Sequence, residues 1–184
     1  MKRQVCYLRY LLRHKWFVLI AGLRIHAPLW RLLAHDLSKF RASEWGAYLQ
    51  KFYGLACTKP ECGKGHLCPS CRERKAKFKL ASHKHKHRNE HHWEHWVDPV
   101  TTVPLPMPPS CVLEMVADWA GAGRAIAGKW ELRSWYEANK HRLILHQSVA
   151  SDVERWVGIL DAKLNANGIL NSLGNDNGSM GTMQ

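Results

Sequence analysis

Apolar residues return every third or fourth position from the start of the chain, at Val5, Leu8, Leu12, Trp16, Leu19 and Leu23. That spacing predicts an amphipathic helix over 4–23, loosened at its end by Gly22. Pro28 suits the first turn of a second helix, where its missing N–H has no intrahelical partner to lose. This helix is predicted through LWRLLAHDLSKF, with Leu29, Leu32 and Leu33 facing the core and His35-Asp36 near its C-terminal end. Ser43 is the expected cap of a third helix, EWGAYLQKFYG, which Gly54 ends. The pattern breaks over 55–74, and a long helix follows over about 75–97. Five prolines in VDPVTTVPLPMPPS (97–110) forbid a continuous helix and predict an extended connector. Ser110 is the expected cap of CVLEMVADWAGAG, with a turn at the GAG of 121–123. Further helices are expected over about 130–145 and 148–164. No stretch alternates as a strand and no repeat is visible, so the predicted class is all-α. The predicted organisation is one helical domain over 1–164, a Cys-rich insertion at 55–74, and a flexible Gly/Asn/Ser-rich tail at 165–184.

Composition adds charge and aromatic bulk. The 184 residues carry a net charge of +12 and nine tryptophans. Such a balance attracts polyanions, namely nucleic acid, nucleotides or an anionic membrane, or simply makes a solvated basic surface. The run WFVLIAGL (16–23) follows basic residues but is too short to span a bilayer, and no small-x-small cleavage site follows it. A cytoplasmic protein without a membrane partner is therefore expected.

Two groups of residues carry candidate chemistry. His35 and Asp36 can reach one divalent ion if it lies over the helix edge between them, and Asp118 can complete the site if its helix packs opposite. A His-Asp dipeptide alone says little, since roughly 0.4 such pairs arise by chance in this composition; the weight rests on the whole set. Glu114 lies one turn before Asp118, placed to orient a ligand or relay a proton. Six of the 12 histidines fall within 81–96. Read as helix, His85, Asn89 and His92 share one face, suited to a second metal or to phosphate oxygens, while His83, His87, His91 and His95 form another stripe. The second group is Cys57-x4-Cys62-x5-Cys68-x2-Cys71, whose tight turns predict a structural Zn²⁺. His66 is a spare ligand there, and Cys6 and Cys111 are expected to be buried singly. The basic run 71–79 follows directly and could grip phosphates.

Several stretches taken together, YLLRHKWFVLIAG, LLAHDLSKFRASEWGAY, HRNEHHWEHW and EMVADWAGAGRAIAGKW followed by WYEANK, resemble the DUF5662 family of small bacterial and phage proteins. The resemblance covers about 7–160 without the Cys segment, which looks like an insertion. The family is similar in outline to HD-type metal-dependent phosphohydrolases, which implies an HD-domain-like helical bundle, here with the zinc knuckle read from the cysteine spacing as its insertion. It implies His14, His35, Asp36 and Asp118 as ligands of a divalent metal (Mn, Mg, Fe, Co or Zn), with His85 and His92 as further ligands or phosphate contacts. Asp36, Lys39 and Glu114 would form the catalytic set, Lys39 neutralising a transferring phosphoryl group. Asn89, His91, Arg124 and Lys129 would bind substrate. The function so implied is hydrolysis of nucleotides or another phosphoester, in a bacterial or phage-infected cytoplasm. The alternatives are an HD-type nuclease, a nucleic-acid-binding zinc protein without catalysis, and a phage-borne interaction protein. Partners are a phosphorylated small molecule or nucleic acid, and homo-oligomerisation is compatible with all of these.

Overall fold

The computed structural model describes residues 2–59, 62 and 67–175, with side chains as far as Ala166. Among these residues the chain is helical throughout, with a lone bridge between Val97 and Pro104 as its only strand-like pairing. The helices are α1 (Lys2–Arg24), α2 (Leu29–Ala34), α3 (Ala42–Tyr53), α4 (Pro69–Arg88), α5 (Pro109–Ala127), α6 (Leu132–Asn139) and α7 (Gln147–Asn175). Short 3₁₀ turns sit at Leu37–Phe40, Trp93–Trp96 and Lys140–Arg142. No described helix is long and apolar enough to cross a membrane.

The all-α expectation holds, while several boundaries move. The helix from Pro28 stops at Ala34 instead of running through His35-Asp36. The His-rich helix ends at Arg88, so His91, His92 and His95 are not on it. Residues 121–123 form no turn: α5 runs through them to Ala127 and is closed by Gly128 at φ 79°. Ser43 and Ser110 lie inside their helices, with Arg41 and Pro108 at the cap positions. The last helix continues to Asn175, past the expected end at 164, and the rest of the predicted tail lies outside the described residues.

The stripe read along α1 points the wrong way. Val5, Leu8, Leu12, Trp16 and Leu23 are exposed, and the buried face is Tyr7, Leu11, His14, Val18 and Ala21. Both stripes repeat at three to four residues, so periodicity cannot rank them. The partner decides, and α1 packs chiefly on α5. Their approach is close at Gly121, where a Cβ would stand 2.7 Å from the Val18 backbone nitrogen. In α2 the only apolar side chain buried is Leu32, seated over Gly22, whereas Leu29 and Leu33 are exposed. Six residues make fewer than two turns and can bury little more than one such side chain.

Two apolar clusters result. One joins α1, α5, α6 and α7 through Val18, Met115, Val116, Leu132, Val153 and Val157. The other joins α1, α3 and α4 through Tyr7, Leu11, Tyr48 and Ala81. His14 follows Leu11 of the second and precedes Val18 of the first on the same face of α1. A polar centre is thereby held between two cores, each full side chain of which contributes about 1.5–3 kcal/mol of burial.

Candidate metal centre

The His35-Asp36 pair gets its geometry from a turn. His35 sits at φ −48°, ψ 128° and Asp36 at φ 58°, ψ 16°. These match the two central residues of a type II turn, where glycine is usual at the second position and Asp is among the residues that tolerate it. On a helix the two side chains would diverge by about 100°. Here they point into the same interior space, His35 Nε2 lying 3.4 Å from Asp36 Oδ2.

Around Asp36 the donor atoms form two groups, one on each carboxylate oxygen. At Oδ2 stand His14 Nε2 at 3.2 Å and His35 Nε2 at 3.4 Å, and Asp118 Oδ1 lies 3.1 and 3.4 Å from these two nitrogens. At Oδ1 stand His85 Nε2 at 3.2 Å and His91 Nε2 at 3.6 Å. His92 completes this second group, and within each group the donor atoms all lie within 4.8 Å of one another. Ligands about 2.0–2.2 Å from one ion are separated by roughly 3.0–3.5 Å for near-octahedral to tetrahedral angles. The separations in the first group are of that size. In the second, Asp36 Oδ1 and the Nε2 atoms of His85, His91 and His92 are buried with no hydrogen-bond partner. Buried polar atoms are rarely left so. Four of them facing one point fit a cation as the missing partner.

Two buried carboxylates behind the histidines fix their orientation. Glu114 faces His35 Nδ1 and His91 Nδ1, each at 3.1 Å, and accepts a 2.7 Å hydrogen bond from Arg31 Nε. Glu44, fully buried, faces His85 Nδ1 at 2.9 Å and accepts from Ser38 Oγ at 3.0 Å and Arg88 Nη1 at 2.6 Å. A carboxylate at Nδ1 selects the tautomer with its proton there, leaving the Nε2 lone pair for a metal. Glu114, Asp36 and Lys39 were expected as the catalytic set. Glu114 could itself group with His35 and His91 as a ligand, but both imidazoles reach it through Nδ1 and Arg31 already balances its charge. Its place is behind the imidazoles, on the side away from the two donor groups at Asp36. Lys39 reaches Asp36 Oδ2 at 2.5 Å.

Charge compensation in the centre is strong. Burial disfavours ionised Asp36, but His35 and Lys39 outweigh it and hold the carboxyl well below its usual range. Burial is likewise outweighed at Asp118 by hydrogen bonds from His14 and His35. Burial disfavours the His14 cation, yet Asp118 and Asp36 raise its pKa above 6.5, and Asp36 does the same more strongly for His35. His92 is held well below 6.5 by burial and by His91. Despite burial, the hydrogen bonds from His35 and His91 bring Glu114 down to about 2. The carboxylates that favour protonated His14 and His35 would equally favour a divalent ion in the same place.

The other expected residues divide. His91, read as a substrate contact on the outer stripe, is buried in the second donor group because the chain turns after Arg88. Asn89, also read as a substrate contact, donates to Ser38 Oγ (3.0 Å) and to the His85 carbonyl (2.7 Å), bracing His85 instead. Arg124 lies against the rings of Phe17 and Trp130, 5.5 and 5.6 Å from their centroids, and is not gathered with the donor groups. Lys129 is exposed and pairs with Glu131. With no turn at 121–123, no backbone anion nest forms there. Arg31, Ser38 and Glu44 were not read from the sequence, where they look like ordinary helix-surface positions. Glu44 at i+9 from His35 carries no motif.

Cys57, Cys62, Cys68 and Cys71 also converge, all as free thiols. Cys57 Sγ lies 3.7 Å from Cys68 Sγ, the edge of roughly 3.8 Å expected for a tetrahedron with Zn–S near 2.3 Å. Hydrogen bonds from Ser70 and the Cys71 backbone draw the Cys68 thiol down to about 6. Cys68 supplies the cap and Pro69 the first residue of α4, so this cluster pins the start of that helix. His66 lies outside the described residues. Cys111 is buried as expected, whereas Cys6 is exposed.

The chain belongs to a family of unknown function, DUF5662, whose pattern matches residues 3–159. No curated protein and no solved structure matches it.

Proposed function

For this member of the family, we propose a metal-dependent phosphohydrolase with an HD-like centre of two divalent ions sharing Asp36. One ion would be held by His14, His35, Asp36 and Asp118, the other by Asp36, His85, His91 and His92. The carrying observation is the pair of donor groups on the two oxygens of one carboxylate, with buried imidazole nitrogens that have no other partner. Nitrogen and carboxylate donors suit Zn, Mn, Fe or Co. When bound, such ions polarise a phosphoryl oxygen and make water a usable nucleophile near neutral pH. The chain's own residues do the rest. Glu114 and Glu44 hold the imidazoles in register, and Lys39 offers a cation beside Asp36 for charge developing on phosphorus. Asp118 and His92 face a cleft of about 490 Å³ that opens the centre to substrate. The four cysteines would hold one structural Zn²⁺, closed by thiolates and taking no part in chemistry.

The test combines metal analysis with phosphate release from a panel of phosphoesters under added Mn²⁺, Mg²⁺, Co²⁺ or Zn²⁺. Wild type should carry divalent metal beyond the cysteine zinc and turn over at least one phosphoester, with activity lost to chelator. Asp36→Ala should abolish turnover, and Lys39→Ala should reduce it less, because Lys39 holds no metal. A chain inert with every metal and every phosphoester would remove the enzyme reading.

A further inference from the structure

Eight of the 20 residues of α4 are Lys or Arg, against one carboxylate, Glu73. We propose that α4 is a track for single-stranded nucleic acid, which leads the strand into the tryptophan-lined cleft beside Asp118. The hydrolase reading gives the end of this track its meaning, but the binding itself does not depend on it.

The cations are not spread evenly. Four of them, Arg72, Lys75, Lys79 and Lys86, recur at three to four residues with His83 between the last two, and so share one side of the helix. Over 14 residues this side runs about 21 Å. Arg72, Lys75, Lys79 and His83 are exposed, and among the described residues none of them has a carboxylate partner, whereas the half-buried Lys86 pairs with Glu94 at 2.5 Å. On the other flank Lys77 pairs with Glu73 at 2.7 Å and Arg88 with Glu44 at 2.6 Å, and Lys84 alone is exposed without a carboxylate partner among the described residues. A line of cations unpaired from Arg72 to Lys79, beside a flank on which carboxylates hold two of the three, is what a phosphate backbone would recognise.

The line also leads somewhere. Lys86, its last member, lines the cleft that holds Asp118 and His92. Trp93, Trp119 and Trp135 give the rest of the wall its aromatic part, with Glu94, Asn139, Leu143 and Arg142 completing it. Trp119 and Trp135 lie 5.1 Å apart, centroid to centroid, and Trp135 is 40% exposed. Aromatic faces next to a basic groove are how proteins hold unpaired bases, since every base presents a π-face. A cleft of about 490 Å³ is of small-ligand size, room for an unstacked nucleotide and not for a duplex. A free mononucleotide would fill the cleft but leave Arg72, Lys75 and Lys79 without a role.

The experiment uses the full chain as purified and a labelled thymidylate 12-mer with phosphorothioate linkages, followed by fluorescence anisotropy over a range of salt. Lys75→Glu with Lys79→Glu should weaken binding at least tenfold and flatten the log–log salt slope by about 1.4, two phosphates at roughly 0.7 each. Trp135→Ala should weaken it by about tenfold, as for loss of one stacked base. Lys77→Glu with Lys84→Glu, on the other flank, should change it less than twofold. Metal content is measured on every variant and should not move. If the 12-mer binds no tighter than thymidine monophosphate, or if duplex binds as well as single strand, the proposal is wrong. Equal losses from the two flanks, or none from Trp135→Ala, would also overturn it. A wild type that binds the 12-mer as expected but holds no divalent metal beyond the cysteine zinc would defeat the hydrolase reading alone.

Discussion

At the scale of single residues the centre depends on one backbone position. Asp36 has φ 58°, a conformation most L-residues adopt only at a cost of about 1–2 kcal/mol but Asn and Asp reach more easily. Asp36→Asn should therefore stay folded while losing metal from both donor groups, because its amide cannot bridge as a charged carboxylate does. Retention of both ions, by metal analysis, would show that Asp36 is not shared. The carboxylates behind the histidines make a finer prediction. Glu44 touches only His85, of the second group, whereas Glu114 touches His35 of the first and His91 of the second. Glu44→Gln should weaken one ion by about 10–100-fold, and Glu114→Gln should weaken both. Titration against a competing chelator reads the two affinities, and identical losses from the two variants would contradict the assignment. The convergence of His35, Asp36 and Asp118 was legible from residue type alone. Glu44, Ser38 and Arg31 were not, because a residue that acts by supporting another leaves no spacing of its own. His91 was misread because the helix was extended past Arg88. The turn that brings it inward has no glycine or proline to announce it.

At the scale of elements the governing contact is α1 on α5. It places His14 3.1 Å from Asp118, and it depends on Gly121, whose missing side chain lets the Val18 backbone come near. Gly121→Ala would put a carbon 2.7 Å from that backbone nitrogen, which no rotamer change can relieve, so the helices must part. The expected loss is about 1–3 kcal/mol, seen in thermal unfolding, together with weaker metal binding at the first donor group. Gly123, two residues on, has nothing within 4 Å of an added Cβ, and Gly123→Ala serves as the control that should not destabilise. The sequence showed Gly121 as half of a turn because two glycines close together usually mark one. Within a long helix they can instead mark a close helix crossing, which only the partner helix reveals. The same limit explains the α1 stripe: large apolar residues suggested a core face, but α5 offers small residues and accepts the face bearing His14. The cysteine cluster, by contrast, was readable from spacing, being local in the chain. Replacing Cys68 and Cys71 by serine should remove about one equivalent of zinc and leave the His/Asp centre loaded. Unchanged zinc content would mean that the cluster binds none.

At the scale of the whole molecule, a buried centre of two carboxylates and five histidines between two apolar clusters would, if it holds the proposed ions, tie folding to metal. An ion that binds only the folded chain stabilises it by about 2.7 kcal/mol at a free concentration one hundred times its dissociation constant. How this changes with pH follows from the histidines. In the metal-free chain His14 and His35 have raised pKa values. Their contribution to stability is complete below 6.5, the value in the unfolded chain, and fades as pH rises through their raised folded values. His92, held well below 6.5, is neutral in both folded and unfolded chains above that pH and adds no slope there. Metal binding runs the opposite way, since it needs unprotonated imidazoles and competes with the protons that the raised pKa values of His14 and His35 favour. The difference in melting temperature between metal-loaded and chelator-treated protein should therefore widen from pH 6.5 to 8.5 and narrow below 6.5 as the ligand histidines protonate. Scans with the cysteine zinc present in both samples isolate the centre, because the thiol contribution then cancels. Titration near pH 7 in buffers of different ionisation enthalpy should also show proton release on binding. A melting difference independent of pH, with no protons released, would mean that His14 and His35 do not hold the ion.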